Sequence, residues 1–460
     1  MADSAVPDGA TADGERRPVV TTGRGQVRGV TEGAVAAFRG IPYAASPVGK
    51  LRFAPPRPHE GWSEPRDAAR PGPSVPQNAS RLEAVMGRRT PNWAEAESLN
   101  LNVWTPAGLL NESGRGRRPV LLWFHGGGFT SGSGGWDWYE GARLAALGDI
   151  VVVTANYRLG PLGYLHLPES DSDNVGMRDQ AAALRWVHAN AEAFGGDPDA
   201  ITVGGQSAGA YSSLALALVP ETRPLIRGVI AQSGPWGMDP QDPDEATAHT
   251  AALVRLLGVE SAPNPGDALR ELPVERLLAA YAQLSAELAV PGRIGPPLYP
   301  VLGGAGMPSR PLPQAVADGG LEDTRLLIGT VKDEMTAFVG AGELAQTLTE
   351  RMMRGITLKI AADRAAQGTP AYVYQFDREA PGGSDLGATH CAELPFLFGT
   401  FTAFADSPML GQPTPADHAL SASFASAFAA FAATGSPNGE GLEPWAAYGA
   451  GGGGEVKRFG

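Results

Sequence analysis

Cysteine is almost absent: Cys391 stands alone among 460 residues, which excludes an internal disulfide and fits a reducing compartment. Long apolar runs are missing too. No stretch approaches the roughly 20 residues that a transmembrane helix needs. The N-terminus has no apolar signal-peptide core either. Met1 to Arg17, polar and rich in Gly, Ala and Asp, is therefore expected to be a disordered tail on a cytoplasmic protein. Basic residues are outnumbered, 36 Lys and Arg against 49 Asp and Glu, for a net charge of −13. That balance argues against nucleic acid, which attracts basic surfaces, and nothing indicates a membrane partner. It also disfavours anionic substrates in bulk, although a local site overrides such a field. The Asn-x-Ser triplets at Asn78 and Asn111 read as chance matches rather than glycan acceptors.

Apolar substance is plentiful, at 43% of residues, enough for one large α/β unit over residues 18–460. From Pro18 to about Pro106 the chain reads as short strands and loops. Val19–Val30 and Ala34–Ile41 resemble a hairpin, and Leu99–Trp104 a further strand. From Pro119 the rhythm becomes apolar strand, loop, helix, repeated. Strands are expected at Val120–His125, Ile150–Asn156, Ile201–Gly204, Gly228–Gln232, Arg325–Gly329 and Ala371–Phe376, with a last edge strand near Val456–Phe459. Helical patterns cover Met177–Ala193, Ala208–Val219 and Leu344–Gln367. Alternation of this kind predicts a mostly parallel central sheet, covered by helices on both faces, with antiparallel strands at its N-terminal side. β-branched runs such as Ile150-Val-Val-Val suit strands buried on both faces.

Gly205-x-Ser207-x-Gly209 occurs once, after an expected strand and before an expected helix. A serine on such a turn is held in a strained backbone, and the glycines avoid clashes that a Cβ would cause. Its hydroxyl stands at a helix N-terminus, where developing negative charge is favoured. The competing reading is a plain serine N-cap. Leu121-Leu-Trp-Phe-His-Gly-Gly-Gly-Phe129 places bare backbone directly after another strand. Its N–H groups, with that of Ala208, suit an oxyanion hole, each donor contributing about 3–4 kcal/mol in the transition state. Glycine runs are also simply flexible, as in the tail Gly449–Gly454; what distinguishes the first run is its place upstream of the elbow.

With a serine elbow the acid and then the histidine follow in the chain. Of seven histidines, His249, His390 and His418 lie beyond Ser207. His249 sits in a polar helical stretch, Asp244–Leu257, and reads as solvated surface. His418 lies at a helix start. His390 ends a loop, Gly382–Thr389, beyond a sheet strand and is the candidate base. Asp333 and Glu334 both stand just past the strand Arg325–Gly329, where open α/β sheets place their sites. Either can accept from the imidazole Nδ1–H, and local reading leaves both open.

At this point the residues resemble the type-B carboxylesterase family, which takes in para-nitrobenzyl esterases and cholinesterases. The likeness rests on Phe38-Arg-Gly-Ile-Pro-Tyr-Ala44, Val48-Gly-Lys-Leu-Arg-Phe53, Leu99-Asn-Leu-Asn-Val-Trp-Thr-Pro106, Asn156-Tyr-Arg-Leu-Gly160, Gly176-Met-Arg-Asp-Gln180 and Phe194-Gly-Gly-Asp-Pro198, and it runs from about Phe38 to Trp445. It implies the α/β-hydrolase fold and a serine ester hydrolase working through an acyl-enzyme on neutral, fairly hydrophobic esters, without metal or cofactor, as a monomer or homodimer. By resemblance the nucleophile is Ser207, the oxyanion donors are Gly127, Gly128 and Ala208, and Gly329-Thr-Val-Lys-Asp-Glu334 favours Glu334 as the acid. Gly387-Ala-Thr-His390, with Glu393 after it, resembles the histidine block. Gln232-Ser-Gly234 makes Ser233 a residue near that histidine, with a plain strand-end serine as the alternative.

Three departures stand out. Gln206 replaces the family's glutamate before the serine, removing a negative charge. Ser98 stands where relatives often have a cysteine. Glu334 and His390 are only 56 positions apart, fewer than the family pattern, so helices that wall the gorge are expected to be trimmed and the pocket to be more open or completed by a partner. Phe129, Trp236 and Phe338 lie near these blocks as pocket candidates or plain core, and His125 is expected to pack against the glycine loop. Carbamate, lactone or amide hydrolysis and acyl transfer share the same intermediate, and a non-catalytic binding protein on this fold is the alternative from another class.

Overall fold

The computed structural model describes residues 17–90, 92–110, 116–290, 295–381, 385–449 and 454–460. Most of the expected N-terminal tail, residues 1–16, lies outside them, as do Asn111 and parts of the Gly382–Thr389 loop and the Gly449–Gly454 tail. Arg17, the last residue of that tail, is described and its Nε donates to Gly29 O (3.1 Å).

Strands among the described residues are β1 (Val19–Thr22), β2 (Gly25–Arg28), β3 (Val30–Glu32), β4 (Val35–Pro42), β5 (Arg66–Asp67), β6 (Asn100–Pro106), β7 (Arg118–Phe124), β8 (Val151–Ala155), β9 (Gly196–Gln206), β10 (Gly228–Gln232), β11 (Arg325–Val331), β12 (Tyr372–Phe376) and β13 (Lys457–Phe459). They form a three-stranded sheet, β1-β2-β5, and a ten-stranded sheet, β13-β12-β11-β10-β9-β7-β8-β6-β4-β3. From β13 to β8 neighbouring strands are parallel, whereas β8–β6, β6–β4 and β4–β3 pair antiparallel.

Strand periodicity sorts the apolar residues onto two faces. Val120, Leu122 and Phe124 of β7 enter one buried cluster with Ile201, Val203 and helix residues Leu184 and Leu214. Leu121 and Trp123, pointing the other way, join Leu327, Tyr374, Leu144, Phe424 and Phe428. Helices Val175–Asn190 and Ala208–Leu218 supply the first cover. Ala142–Gly148 and Pro415–Thr434 supply the second.

Three elements differ from expectation. Val19–Val30 is not one strand: Thr22-Gly-Arg-Gly25 turns it into its own hairpin, and Val30 opens a second one with β4. Gly25 there has φ +140°, a value L side chains rarely adopt. Strand β9 begins five residues earlier than the run Ile201–Gly204 suggested, despite Pro198. The β7–β9 register shifts between Arg118/Gly196 and Val120/Ile201, so the proline sits inside the irregularity. The expected helix Leu344–Gln367 contains a π-turn, Glu350–Arg354, where Met352 O accepts from Gly237 N–H outside the helix (2.9 Å).

Two of the motifs prove to be structural partners. Arg158 donates to both carboxylate oxygens of Asp179, through Nη2 at 2.7 Å and Nε at 2.8 Å, in a fully buried pair. Asp179 also accepts from the Arg158 backbone N–H (3.0 Å). Removing either partner strands a buried charge, a loss of about 3–5 kcal/mol.

Candidate active site

The segment carrying Ser207 turns directly from β9 into the helix Ala208–Leu218. Ser207 itself has φ 56° and ψ −121°, left-handed for a residue with a Cβ. Its N–H is tied to Gln232 O at the end of β10 (2.8 Å), so the sheet maintains the strain. The two glycines are explained by contact: a Cβ on Gly209 would lie 2.0 Å from Phe124 O, and one on Gly205 2.4 Å from Gly209 C. The helix can approach the strand this closely only without side chains there.

Across from the serine, the loop after β7 carries Gly127 (φ +113°) and Gly128 (φ +60°). Gly127 O accepts from the N–H groups of Thr130 (3.1 Å) and Ser131 (3.2 Å), closing a tight turn, and a Cβ on Gly127 would sit 2.0 Å from Ser131 O. Gly127, Gly128, Ser207 and Ala208 line one cavity. The expected oxyanion donors and the serine therefore face the same space.

Glu334 and His390 are brought together by a backbone bridge between Asp333 and Thr389. Asp333 N–H donates to Ala388 O (2.9 Å), and Asp333 Oδ2 accepts from Ala388 N–H (3.0 Å). Asp333, one of the two carboxylates left open by local reading, thus holds the histidine loop. Glu334 faces the imidazole: its Oε2 lies 2.6 Å from His390 Nδ1, both side chains fully buried. Its Oε1 accepts from Val331 N–H (3.0 Å), fixing the carboxylate. Because the carboxylate only accepts, Nδ1 carries a proton, and in the neutral ring Nε2 carries the lone pair. That lone pair faces Gln206 Nε2 at 3.3 Å, and among the described residues no hydrogen bond joins Ser207 Oγ to His390.

Ser233, buried and with φ 52°, does not bond the histidine. Its Oγ donates to Glu393 Oε1 (3.2 Å). Burial first, then the charge of Glu334, pushes the Glu393 carboxyl up to about 8, so it holds its proton at neutral pH. Burial likewise pushes the Cys391 thiol well up, leaving it unreactive. His125 stacks on Tyr157 at 4.5 Å. Burial lowers it to about 4, and Nδ1–H donates to Gly126 O (2.8 Å): it packs beside the glycine loop, as expected. His249 corrects the sequence reading. It is mostly buried, with Nδ1 2.8 Å from Pro297 O, because its helix, Pro243–Leu257, lays that face on the segment around Pro297. His418 is exposed, edge-on to Phe401.

Of the pocket candidates, Phe129 and Phe338 line the cavity, and the Phe338 ring lies 5.4 Å from the His390 ring. Trp236 does not line it: it is buried against Tyr211, with Nε1–H donating to Thr357 Oγ1 (3.0 Å). Sequence reasoning missed Leu82, Pro235, Met238, Pro296 and Met353 in the lining, together with Arg81, its one charged member. They come from separate loops and helices, and no local pattern marks them. A larger, polar groove of about 890 Å³ lies beside Asp333 and Thr336 but contains none of Ser207, His390 and Glu334.

A family model described as the carboxylesterase family matches residues 16–351 and 340–456. The chain belongs to this family. It is 35% identical to the phenmedipham hydrolase of Pseudarthrobacter oxydans, over 94% of this chain and 93% of that protein. It is also 35% identical to the para-nitrobenzyl esterase of Bacillus subtilis, over 94% and 92%. A solved thermophilic PNB esterase superposes with a TM-score of 0.83 at 33% identity, covering 94% of each chain. The fold is the α/β-hydrolase fold, and the enzyme is a carboxylesterase, a hydrolase of carboxylic ester bonds. Among the described residues no helix is long and apolar enough to cross a membrane.

Proposed function

We propose that this carboxylesterase works through an acyl-enzyme on Ser207, with His390 as general base and Glu334 orienting it. The observation that carries the reading is the buried 2.6 Å contact between His390 Nδ1 and Glu334, beside a strained serine that faces a glycine-lined cavity. His390 Nε2 takes the hydroxyl proton as Ser207 Oγ attacks the ester carbonyl. The tetrahedral oxyanion rests on the preorganised N–H groups of Gly127, Gly128 and Ala208. His390 then gives the proton to the departing alcohol, and the cycle repeats with water to release the acid. Ser233 holds the protonated Glu393, which follows His390 in the chain, through its hydroxyl.

The cavity favours a neutral, fairly hydrophobic ester. Leu82, Phe129, Pro235, Met238, Phe338 and Met353 make its walls mostly apolar, and its free volume is about 40 Å³. It is thus a narrow slot rather than the more open pocket expected from the short Glu334–His390 spacing, and it suits a short or medium acyl chain. The single, buried cysteine supports a cytoplasmic setting, and residues 18–460 act as one catalytic unit.

Incubation with a p-nitrophenyl ester and a serine-directed phosphonate tests the assignment. Ser207→Ala is expected to lower kcat by about 10³–10⁶-fold without unfolding the protein, and mass spectrometry is expected to find the phosphonate on Ser207. Unchanged turnover in that variant ends the proposal. A panel of esters, carbamates, lactones and amides then ranks the acceptable acyl and leaving groups.

A further inference from the structure

Directly before the serine stands Gln206, an uncharged residue where the family resemblance implies a glutamate. Gln206 closes β9 and is 1% exposed. Its carboxamide lies between Gly126 and the imidazole of His390. Gly126 makes room for it, since a Cβ there would lie 2.9 Å from Gln206 Oε1. The amide nitrogen stands 3.3 Å from His390 Nε2. Glu334 keeps the imidazole proton on Nδ1, so Nε2 has a lone pair and the amide N–H donates to it.

We propose that Gln206 is a positioning residue that sets the pH range of the base: its carboxamide donates to Nε2 of neutral His390. This rests on the triad assigned above. A hydrogen bond to the neutral form disfavours the charged one. Once the Ser207 proton reaches Nε2, the ring N–H faces an amide N–H, donor against donor. The contact resists the imidazolium and drives the proton onward to the leaving alcohol. A carboxylate at the same place would accept from the imidazolium and hold the proton. The other groups around the ring leave Glu334 as its main charged neighbour. Glu393 holds its proton, and Cys391, Tyr139 and Tyr374 are kept neutral by burial. Asp333 is turned to the Ala388 N–H. An amide at position 206 adds no second charge.

The test compares the full-length wild type with Gln206→Glu and Gln206→Met, the latter removing the donor without adding charge. The pH profile of kcat/KM for p-nitrophenyl acetate reports the free enzyme's base. Its acid limb is expected to move up by about one pH unit in Gln206→Glu and by a smaller step in Gln206→Met. A merely structural role would lower activity at every pH and leave the limb in place. The His390 imidazole is titrated in parallel by NMR, its signal assigned by its loss in His390→Gln, which requires no turnover. The same upward order of midpoints is expected. Should Gln206→Glu fail to fold, Gln206→Met decides alone. Limbs and midpoints that stay within about 0.2 unit of wild type, or move down, overturn the proposal. An NMR shift in a protein without esterase activity would instead overturn the triad assignment and leave this contact standing.

Discussion

Replacing Glu334 by Gln changes no volume and removes one charge, yet it reverses what the imidazole is offered. Glu334 Oε1 accepts from Val331 N–H and Oε2 meets His390 Nδ1. A carboxamide has one acceptor for these two tasks. If its oxygen stays on Val331 N–H, its NH₂ faces Nδ1, which must then accept. The ring proton moves to Nε2, where Gln206 already presents an N–H at 3.3 Å. The base has lost its lone pair on the serine side. If the amide flips instead, its NH₂ opposes the buried Val331 N–H, an unsatisfied contact costing about 1–3 kcal/mol. Either way the productive tautomer is scarce and the imidazolium has no counter-charge. The expected loss in kcat is about 10³–10⁴-fold, or about 4–5.5 kcal/mol of transition-state stabilisation. KM should change little, because Glu334 does not line the cavity. Steady-state hydrolysis of p-nitrophenyl acetate, with thermal melting to verify folding, measures it. A folded Glu334→Gln enzyme within about tenfold of wild type would refute the tautomer argument.

Two further outcomes are expected. Gly209→Ala puts a Cβ 2.0 Å from Phe124 O and 2.9 Å from His125 O, so it should push the helix off β7 and lower stability by about 3 kcal/mol or more. A urea midpoint equal to wild type would contradict this. Glu393 binds its proton more tightly folded than unfolded, about 8 against an ordinary 4.5. The folded state therefore loses stability as pH rises from about 4.5 to about 8. Glu393→Gln should remove that loss, its melting temperature gaining on wild type steadily from pH 5 to pH 8. A constant difference across that range would count against the raised carboxyl.

Much of the fold was legible because buried parallel strands announce themselves. Val120–His125, Ile150–Asn156 and Gly228–Gln232 differ from β7, β8 and β10 by at most one or two residues at an end, since apolar β-branched runs between turn residues have few other uses. Val19–Val30 breaks into two strands because the turn Thr22-Gly-Arg-Gly25 folds it back on itself. The extra residues at the start of β9 were hidden by Pro198, which a register shift accommodates. The elbow was legible because its pattern is written in five neighbouring residues, although the contact that excludes a side chain at Gly209 is with Phe124 O of β7, far away in the chain.

The amino-acid order alone determined the turn that presents Ser207, the bare backbone of Gly127 and Gly128, and the short list of carboxylates and histidines that follow, because each is written in a few neighbouring residues. Only the tertiary structure decided how those carboxylates are employed. Asp333 is turned to the backbone of Ala388 and Glu334 to the imidazole of His390, a choice made by pairing two segments distant in the chain. The same holds for Gln206 beside His390, for Trp236 in the core rather than the cavity, and for a slot walled by seven separate stretches of chain. Hydrogen bonding and packing across such distances depend on where the sheet brings the ends of its strands, and no local pattern of residues encodes that.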